Sequence, residues 1–213
     1  SLHCQLTALS IKVNMQHYFI DKEHSAGDFF NFEDEILNYK LCFRSCDSIF
    51  SKNKIDDGTR TLLNAIAKQC EISGSCLDLG CGLGTIGIVL AKKYAVHVDM
   101  VDINGTAVKL ARENAILNNV QRNTNVFESD GFCAVNNMYD NIITNPPIKT
   151  GKQLLFSLMQ GAFEHLNLGG QLILVIRKDH GMESLKKHLT ELFNNCEIIE
   201  RNKGYYILKC IKN

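Results

Sequence analysis

Cys76-Leu77-Asp78-Leu79-Gly80-Cys81-Gly82-Leu83-Gly84-Thr85-Ile86-Gly87 reads as a short buried strand, a glycine-rich turn and the start of a helix. Ile72, Cys76, Leu77 and Leu79 supply the apolar run, and Asp78 interrupts it just before the turn. Gly80, Gly82 and Gly84 let the backbone take positive φ and come close to a ligand. Apolar residues 86–91 then continue as the buried face of a helix. A G-x-G-x-G turn between strand and helix sets ligand atoms against backbone N–H groups and the helix N-terminus. By itself it does not choose among NAD, FAD and S-adenosylmethionine, whose proteins all use relatives of this turn.

Further along, residues 139–144 read as another buried strand, ending in Asn145-Pro146-Pro147-Ile148. These are the chain's 2 prolines. Neither can donate to a ladder, so they stop the strand, and both sit at a strand's carboxyl end, where open α/β sheets build their sites. Pro-Pro alone describes a rigid loop and Asn a turn former. The glycine turn followed by this tetrapeptide is a more specific pattern than either.

Acids recur at strand ends. Residues 96–101 form the second strand, which ends at Asp102, placed after the glycine turn to accept from ribose hydroxyls. Asp99 competes for that role but lies mid-strand; Asn104 is the expected helix cap. Val108, Ala111 and Ala115 on one face of the following helix read as plain packing. Residues 125–129 form a third strand leading to Asp130-Gly131-Phe132, which is by composition an ordinary Asp-Gly turn. Leu154, Leu155, Leu158, Met159, Ala162 and Leu166 keep a helical period, Gly169-Gly170 closes the connection, and residues 171–176 form a strand entering Arg177-Lys178-Asp179-His180-Gly181. Leu185, Leu189, Leu192 and Phe193 mark the last helix, and residues 197–200 and 205–210 a terminal hairpin. Upstream, residues 40–44 alternate as a half-exposed strand in a small β lead-in. A helix then begins with Asp57 or Thr59 as N-cap before Leu62, Leu63 and Ile66. Strands alternating with helices indicate an α/β fold with a mostly parallel sheet covered on both faces.

The 213 residues suit one α/β domain, and 45% hydrophobic with 22% charged composition excludes a disordered chain. Lys and Arg balance Asp and Glu at 23 each, so any nucleic-acid contact must come from a local patch, for which Arg44, Lys52, Lys54 and Arg60 are the best candidates. The 9 cysteines are an odd number; Cys76, Cys133 and Cys210 sit in or beside apolar runs as small hydrophobes. The pairs Cys42/Cys46 and Cys76/Cys81 lack a matching second pair, and the histidines do not cluster, so no metal is expected. A reducing cytoplasm fits this cysteine usage. Neither a membrane span nor a signal peptide is expected.

The glycine turn together with Asn145-Pro146-Pro147-Ile148 resembles the class I S-adenosylmethionine-dependent methyltransferases of exocyclic amino groups, whose signature is (N/D/S)-P-P-(Y/F/W/I). The Ile form is most similar to the RsmC type, the small-subunit rRNA guanine-N2 methyltransferases. Residues 50–63 are similar to the family's F-S-x-x-x-(V/L)-D-x-G-(T/S)-x-x-L-L segment, which lies over the cofactor and borders the target pocket. Lys178 falls in a stretch resembling a Lys-x-x-Gly segment, and residues 203–208 resemble the family's ending. Met15-Gln16-His17-Tyr18-Phe19 is similar to the family's opening, so residues 1–14 are expected to be an extension, 15–58 the β lead-in and 59–213 the methyltransferase domain.

The resemblance implies a Rossmann-like fold with a seven-stranded, mostly parallel sheet and a C-terminal antiparallel hairpin. It implies S-adenosylmethionine held by Asp78, Gly80, Gly82, Gly84, Asp102, Asn104, Asp130, Gly131, Phe132 and Asn145, with Asp130 receiving the adenine amino group. Asn145, Pro146, Pro147 and Ile148 would form the catalytic tetrapeptide, the Asn145 side chain and the Pro146 carbonyl each accepting one N–H of the target amine. Phe50, Asp56, Gly58, Thr59 and Lys178 would face the substrate, the small ribosomal subunit or its rRNA, with the target base unpaired or flipped out. Longer relatives carry an extra degenerate domain before the catalytic one; this chain resembles the short single-domain members. Two other readings stay open. One is a methyltransferase for another amino or amide nitrogen, adenine N6 in nucleic acid or a protein glutamine, where Tyr or Phe more often stands at the position of Ile148. The other is a non-catalytic cofactor-fold binding module.

Overall fold

In the computed structural model, which describes residues 29–47, 49, 54–147 and 151–213, the first element is a hairpin of β1 (Phe29–Ile36) and β2 (Tyr39–Cys46). Helix α1 (Asp57–Gln69) follows, then β3 (Cys76–Leu79), α2 (Thr85–Tyr94), β4 (Val98–Asp102), α3 (Gly105–Leu117), β5 (Thr124–Glu128) and β6 (Tyr139–Thr144). The chain continues through α4 (Lys152–His165), β7 (Leu166–Arg177), α5 (Met182–Phe193), β8 (Glu197–Asn202) and β9 (Tyr205–Ile211). The expectations for residues 1–14 and 15–19, and for Phe50, Lys52 and Ile148, lie outside the described residues.

The seven strands β3 to β9 form one sheet in the order β5-β4-β3-β6-β7-β9-β8, and β9 runs antiparallel to both of its neighbours. This is the mostly parallel sheet with a C-terminal antiparallel hairpin that the alternation of elements and the family resemblance led us to expect. Side chains alternate across each strand, so the sheet feeds two cores. On one face Cys76, Met100, Ile143 and Val175 pack with Leu62 and Ile66 of α1, Ile88 and Leu90 of α2, and Val108 and Ala111 of α3. On the other, Leu77, Val101, Ile142 and Leu174 pack with Leu155 and Met159 of α4 and Leu185 and Leu189 of α5. The strand order reverses between β3 and β6, which puts the carboxyl ends of these two central strands at the topological switch point.

Several boundaries differ from the expected ones. The N-cap of α1 is Asp56, not Asp57 or Thr59: its carboxylate accepts the Thr59 N–H at 3.0 Å, one turn earlier than the apolar period starts. Leu166 opens β7 instead of closing the preceding helix, and Gly169-Gly170 lies within that strand. There the Gly169 N–H donates to the Lys212 carbonyl (2.7 Å) and the Lys212 N–H to the Gly170 carbonyl (2.9 Å), so the glycines extend the ladder with the chain end. A Cβ on Gly170 would lie 2.9 Å from the Asn167 carbonyl oxygen and 3.1 Å from that of Tyr139, a closeness only glycine permits.

The α3 face also does more than pack. Asn114 accepts the Arg44 N–H (2.7 Å) and donates to the Arg44 carbonyl (3.1 Å) and to the Leu83 carbonyl (3.0 Å). One turn on, Asn118 accepts the Cys42 N–H (3.1 Å) and donates to the Cys42 carbonyl (2.8 Å). Two helix side chains thus serve β2 as a partner strand would, and fasten the hairpin to the glycine turn. The β2 alternation itself is as expected, with Leu41 and Phe43 buried between exposed Lys40, Cys42 and Arg44.

Candidate active site

The glycine turn is held from below by the neighbouring strand. The N–H groups of Gly80 and Cys81 both donate to the Val101 carbonyl (2.9 and 2.8 Å), which bends the chain away from the sheet. Gly80 and Gly82 have φ of 72° and 55°, and a Cβ on either would meet none of the described residues within 4 Å. Among the described residues, nothing covers the turn at these two positions. Gly87 is small for a different reason: a Cβ there would collide with the Met100 side chain beneath α2.

Asp102 is drawn into the same turn. One carboxylate oxygen accepts the Gly82 N–H (2.8 Å) and the other the Asn104 N–H (2.9 Å), while Asn104 caps α3 by accepting from Thr106 (2.9 Å). A carboxylate has about four acceptor positions, so Asp102 keeps capacity for a vicinal diol. Asp99, the competitor, is buried and spent: it accepts the Tyr139 hydroxyl (2.6 Å) and the amides of Asn125 and Asn137 (3.2 Å each). Burial, and then this bond, push the Tyr139 hydroxyl pKa up.

Asp78 lies under the turn, fully buried. Its Oδ2 accepts the Gly87 N–H at 2.9 Å, and its Oδ1 has no hydrogen-bond partner among the described residues. Burial, reinforced by the nearby Asp102 charge, raises its pKa to about 7 against the pull of the Gly87 N–H. An unsatisfied buried acceptor beneath glycines that no described residue covers suits a ligand bearing positive charge.

Across the switch point, the end of β6 is tied to β3 by the Thr144 hydroxyl, which donates to the Leu79 carbonyl (2.8 Å). The next residue, Asn145, gives its amide N–H groups to Asp56 Oδ1 (3.2 Å) and Thr59 Oγ1 (3.0 Å). A carboxylate can only accept, so the amide nitrogen must face Asp56 and the amide oxygen must be turned the other way. Asp56 and Thr59, expected beside the substrate, thus orient the amide of Asn145. Pro146 is buried and Pro147 exposed. The start of α1 is braced in turn by Tyr205: a Cβ on Gly58 would lie 3.0 Å from its ring and 3.1 Å from Asp56 Oδ1. Sequence reading missed Tyr205, whose only signal was its place in the family-like ending.

Other expected residues are placed less directly. Asp130 is exposed just past β5, and Gly131 follows at φ 54°. The Phe132 ring stacks on His165 (4.6 Å between centroids) and abuts Gly161, docking α4. Lys178 is exposed in a 3-10 turn after β7. Of the described members of the expected basic patch, Lys54 is exposed, Arg44 pairs with Glu113 (3.4 Å) and Arg60 with Asp34 (2.8 Å). Among the described residues no group of three or more His, Cys, Asp or Glu could hold a metal, and no helix is long and apolar enough to cross a membrane.

A family model described as "Methyltransferase small domain" matches residues 40–209. The chain belongs to that family. It is a class I methyltransferase that depends on S-adenosylmethionine and is similar to the RsmC type, and the buried acceptor, glycine turn and diol-ready carboxylate described above suit that cofactor. An uncharacterised protein, YbxB of Bacillus subtilis, is 34% identical over 200 residues, covering 92% of this chain and 98% of that one. Ribosomal RNA small subunit methyltransferase C of Haemophilus ducreyi is 35% identical over 140 residues, covering 63% of this chain and 42% of that protein. The chain spans about half the length of the small subunit methyltransferases C that it matches. In fold it is similar to the Thermus thermophilus 16S rRNA N2 G1207 methyltransferase, solved with AdoMet and guanosine, with a TM-score of 0.80 at 23% identity over 91% of this chain and 52% of that one.

Proposed function

We propose that this methyltransferase modifies the exocyclic amino group of guanine in small-subunit rRNA, in the cytoplasm. The observation that carries the reading is the Asn145 amide at the switch point, with its N–H groups engaged by Asp56 and Thr59 and its oxygen therefore turned away from both. The similarity to ribosomal RNA small subunit methyltransferases C supports RNA as the substrate. When bound, S-adenosylmethionine supplies an electrophilic sulfonium methyl. Asp102 would hold the ribose hydroxyls, Asp130 the adenine amino group and the glycine turn the rest of the cofactor.

The difficulty in this chemistry lies with the nucleophile, because an aromatic amine delocalises its lone pair into the ring. The Asn145 oxygen and the Pro146 carbonyl would each accept one N–H, turn the nitrogen toward sp³ geometry and aim its lone pair. Both are also acceptors toward the positive charge that develops on nitrogen. Pro146 and Pro147 fix φ on the acceptor segment, so little orientation is lost between turnovers. Asp56 Oδ1 is committed to the Thr59 N–H and the Asn145 amide, so it orients the catalytic amide; the proton leaves the methylated amine to solvent.

Undermethylated small ribosomal subunits incubated with labelled S-adenosylmethionine should carry label in N2-methylguanosine after digestion. Asn145→Ala should lower kcat by about 100- to 1,000-fold, the loss typical of a removed transition-state partner. Label in N6-methyladenosine or in protein glutamine would replace the substrate. An Asn145→Ala enzyme of full activity would overturn the mechanism.

A further inference from the structure

The edge of the sheet that carries Asn145 also carries a turn on which basic and aromatic side chains interleave. β7 ends and β9 begins there, so Arg177 pairs in register with Tyr205, and the Lys178 N–H donates to the Gly204 carbonyl at 2.9 Å. The Arg177 guanidinium lies over the Tyr205 ring, 5.5 Å from its centroid. In β8, Arg201 pairs in register with Tyr206 and lies over that ring at 5.4 Å. Tyr205 and Tyr206 are consecutive in β9, so the two stacks lie on opposite faces of the sheet. Lys203 and Gly204 turn the chain at its edge with φ 48° and 81°, and Lys178, Arg201 and Lys203 are all exposed. Of the nearby carboxylates, Asp179 chelates the Arg177 guanidinium (3.1 and 3.3 Å) and Glu200 accepts the backbone N–H of Arg201 (3.0 Å), which leaves four basic side chains against two acidic ones. In a chain whose formal charge is zero, this edge is locally cationic. Tyr205 connects it to the site, since its ring rests on Gly58 beside the carboxylate that orients Asn145.

We propose that this edge binds the single-stranded RNA flanking the target nucleotide, with Lys178, Arg201 and Lys203 on phosphates and the Arg177–Tyr205 stack, on the face of the sheet that α1 covers, offering a planar face to a base. Cations spaced between planar groups are how sequence-tolerant single-strand binding is built, since every phosphate and every base face is equivalent to such a surface. The inference rests on the RNA reading of the site and adds the route by which the strand arrives.

The test is a Lys178→Gln/Arg201→Gln/Lys203→Gln variant beside the unaltered chain, each titrated with a fluorescein-labelled unstructured RNA oligonucleotide over a range of salt. S-adenosylmethionine affinity by calorimetry checks that the variant folds. Affinity for RNA should fall roughly tenfold, and the log–log salt slope should become shallower by about two units, the share of three phosphate contacts on a single strand. Equal affinity and slope would overturn the proposal. Methyl transfer to undermethylated small-subunit RNA, followed in parallel, separates the two ideas. Equal binding and labelling by both proteins would remove the edge and keep the RNA substrate. An unaltered chain that binds the oligonucleotide through this edge and labels no RNA would keep the edge and remove the substrate.

Discussion

Asp78 and Asp56 show how differently two carboxylates can be used within one site. Asp78 has a native pKa near 7 against an ordinary 3.8, so the folded state holds its proton more tightly than the unfolded one. Its contribution is therefore most favourable below about pH 4 and is lost as pH rises through about 7. Asp78→Asn should gain thermal stability over the unaltered ligand-free protein progressively between these limits, by a few kcal/mol at the plateau, and should bind S-adenosylmethionine more weakly. Melting curves across pH with parallel calorimetry check both signs; a difference in melting temperature that is flat with pH would contradict them. Asp56 acts through hydrogen bonds. Asp56→Ala removes a helix cap, costing about 1 kcal/mol, and frees the Asn145 amide to rotate. Its kcat should drop about tenfold or more with KM for S-adenosylmethionine unchanged. Asp56→Asn, which keeps an acceptor for both bonds, should recover most of the loss.

Among the elements, α3 bears the least expected role. Its alanines and Val108 pack as their spacing indicates, but Asn114 and Asn118 complete the hydrogen bonding of β2. Asn114→Ala would leave the backbone of Arg44 and the Leu83 carbonyl without these partners, at about 1–3 kcal/mol for each buried group left unsatisfied. Amide exchange at Cys42 and Arg44 should then accelerate well before exchange in β3 or β6. Both asparagines stood in plain view, and a polar residue of poor helix propensity inside a helix, followed one turn on by a second at the C-cap, was a usable signal. What could not be read was the partner: the bonds join positions 70 and 76 residues apart, and those of Asn145 to Thr59 and Asp56 join positions 86 and 89 apart. By contrast, the glycine turn, the paired prolines and the Asn104 cap are local backbone constraints, each complete within a few consecutive residues. Legibility tracked contact range. The misplaced start of β7 fits that view, since Gly169 and Gly170 look like a loop until Lys212 arrives to pair with them.

In the molecule as a whole, the site draws on the start of α1, the turn after β3 and the end of β6, with both faces of the sheet packed behind it. A ligand seated there should stabilise the entire cooperative unit. At one hundred times its dissociation constant, S-adenosylmethionine should add about 2.7 kcal/mol, which for a chain of this size raises the melting temperature by about 5–10 °C. Scanning calorimetry should show one transition moving intact; a second, unmoved transition would mean that the hairpin unfolds separately. The side-chain ladder of Asn114 and Asn118 bears on more than docking. A strand edge with open N–H and carbonyl groups is a template on which another chain can grow, and most proteins blunt such edges with charge or proline. Here the outer edge of β2 is closed by amides borrowed from a helix. Their loss would expose an adhesive strand to neighbouring molecules, and the first symptom in a concentrated solution would be self-association.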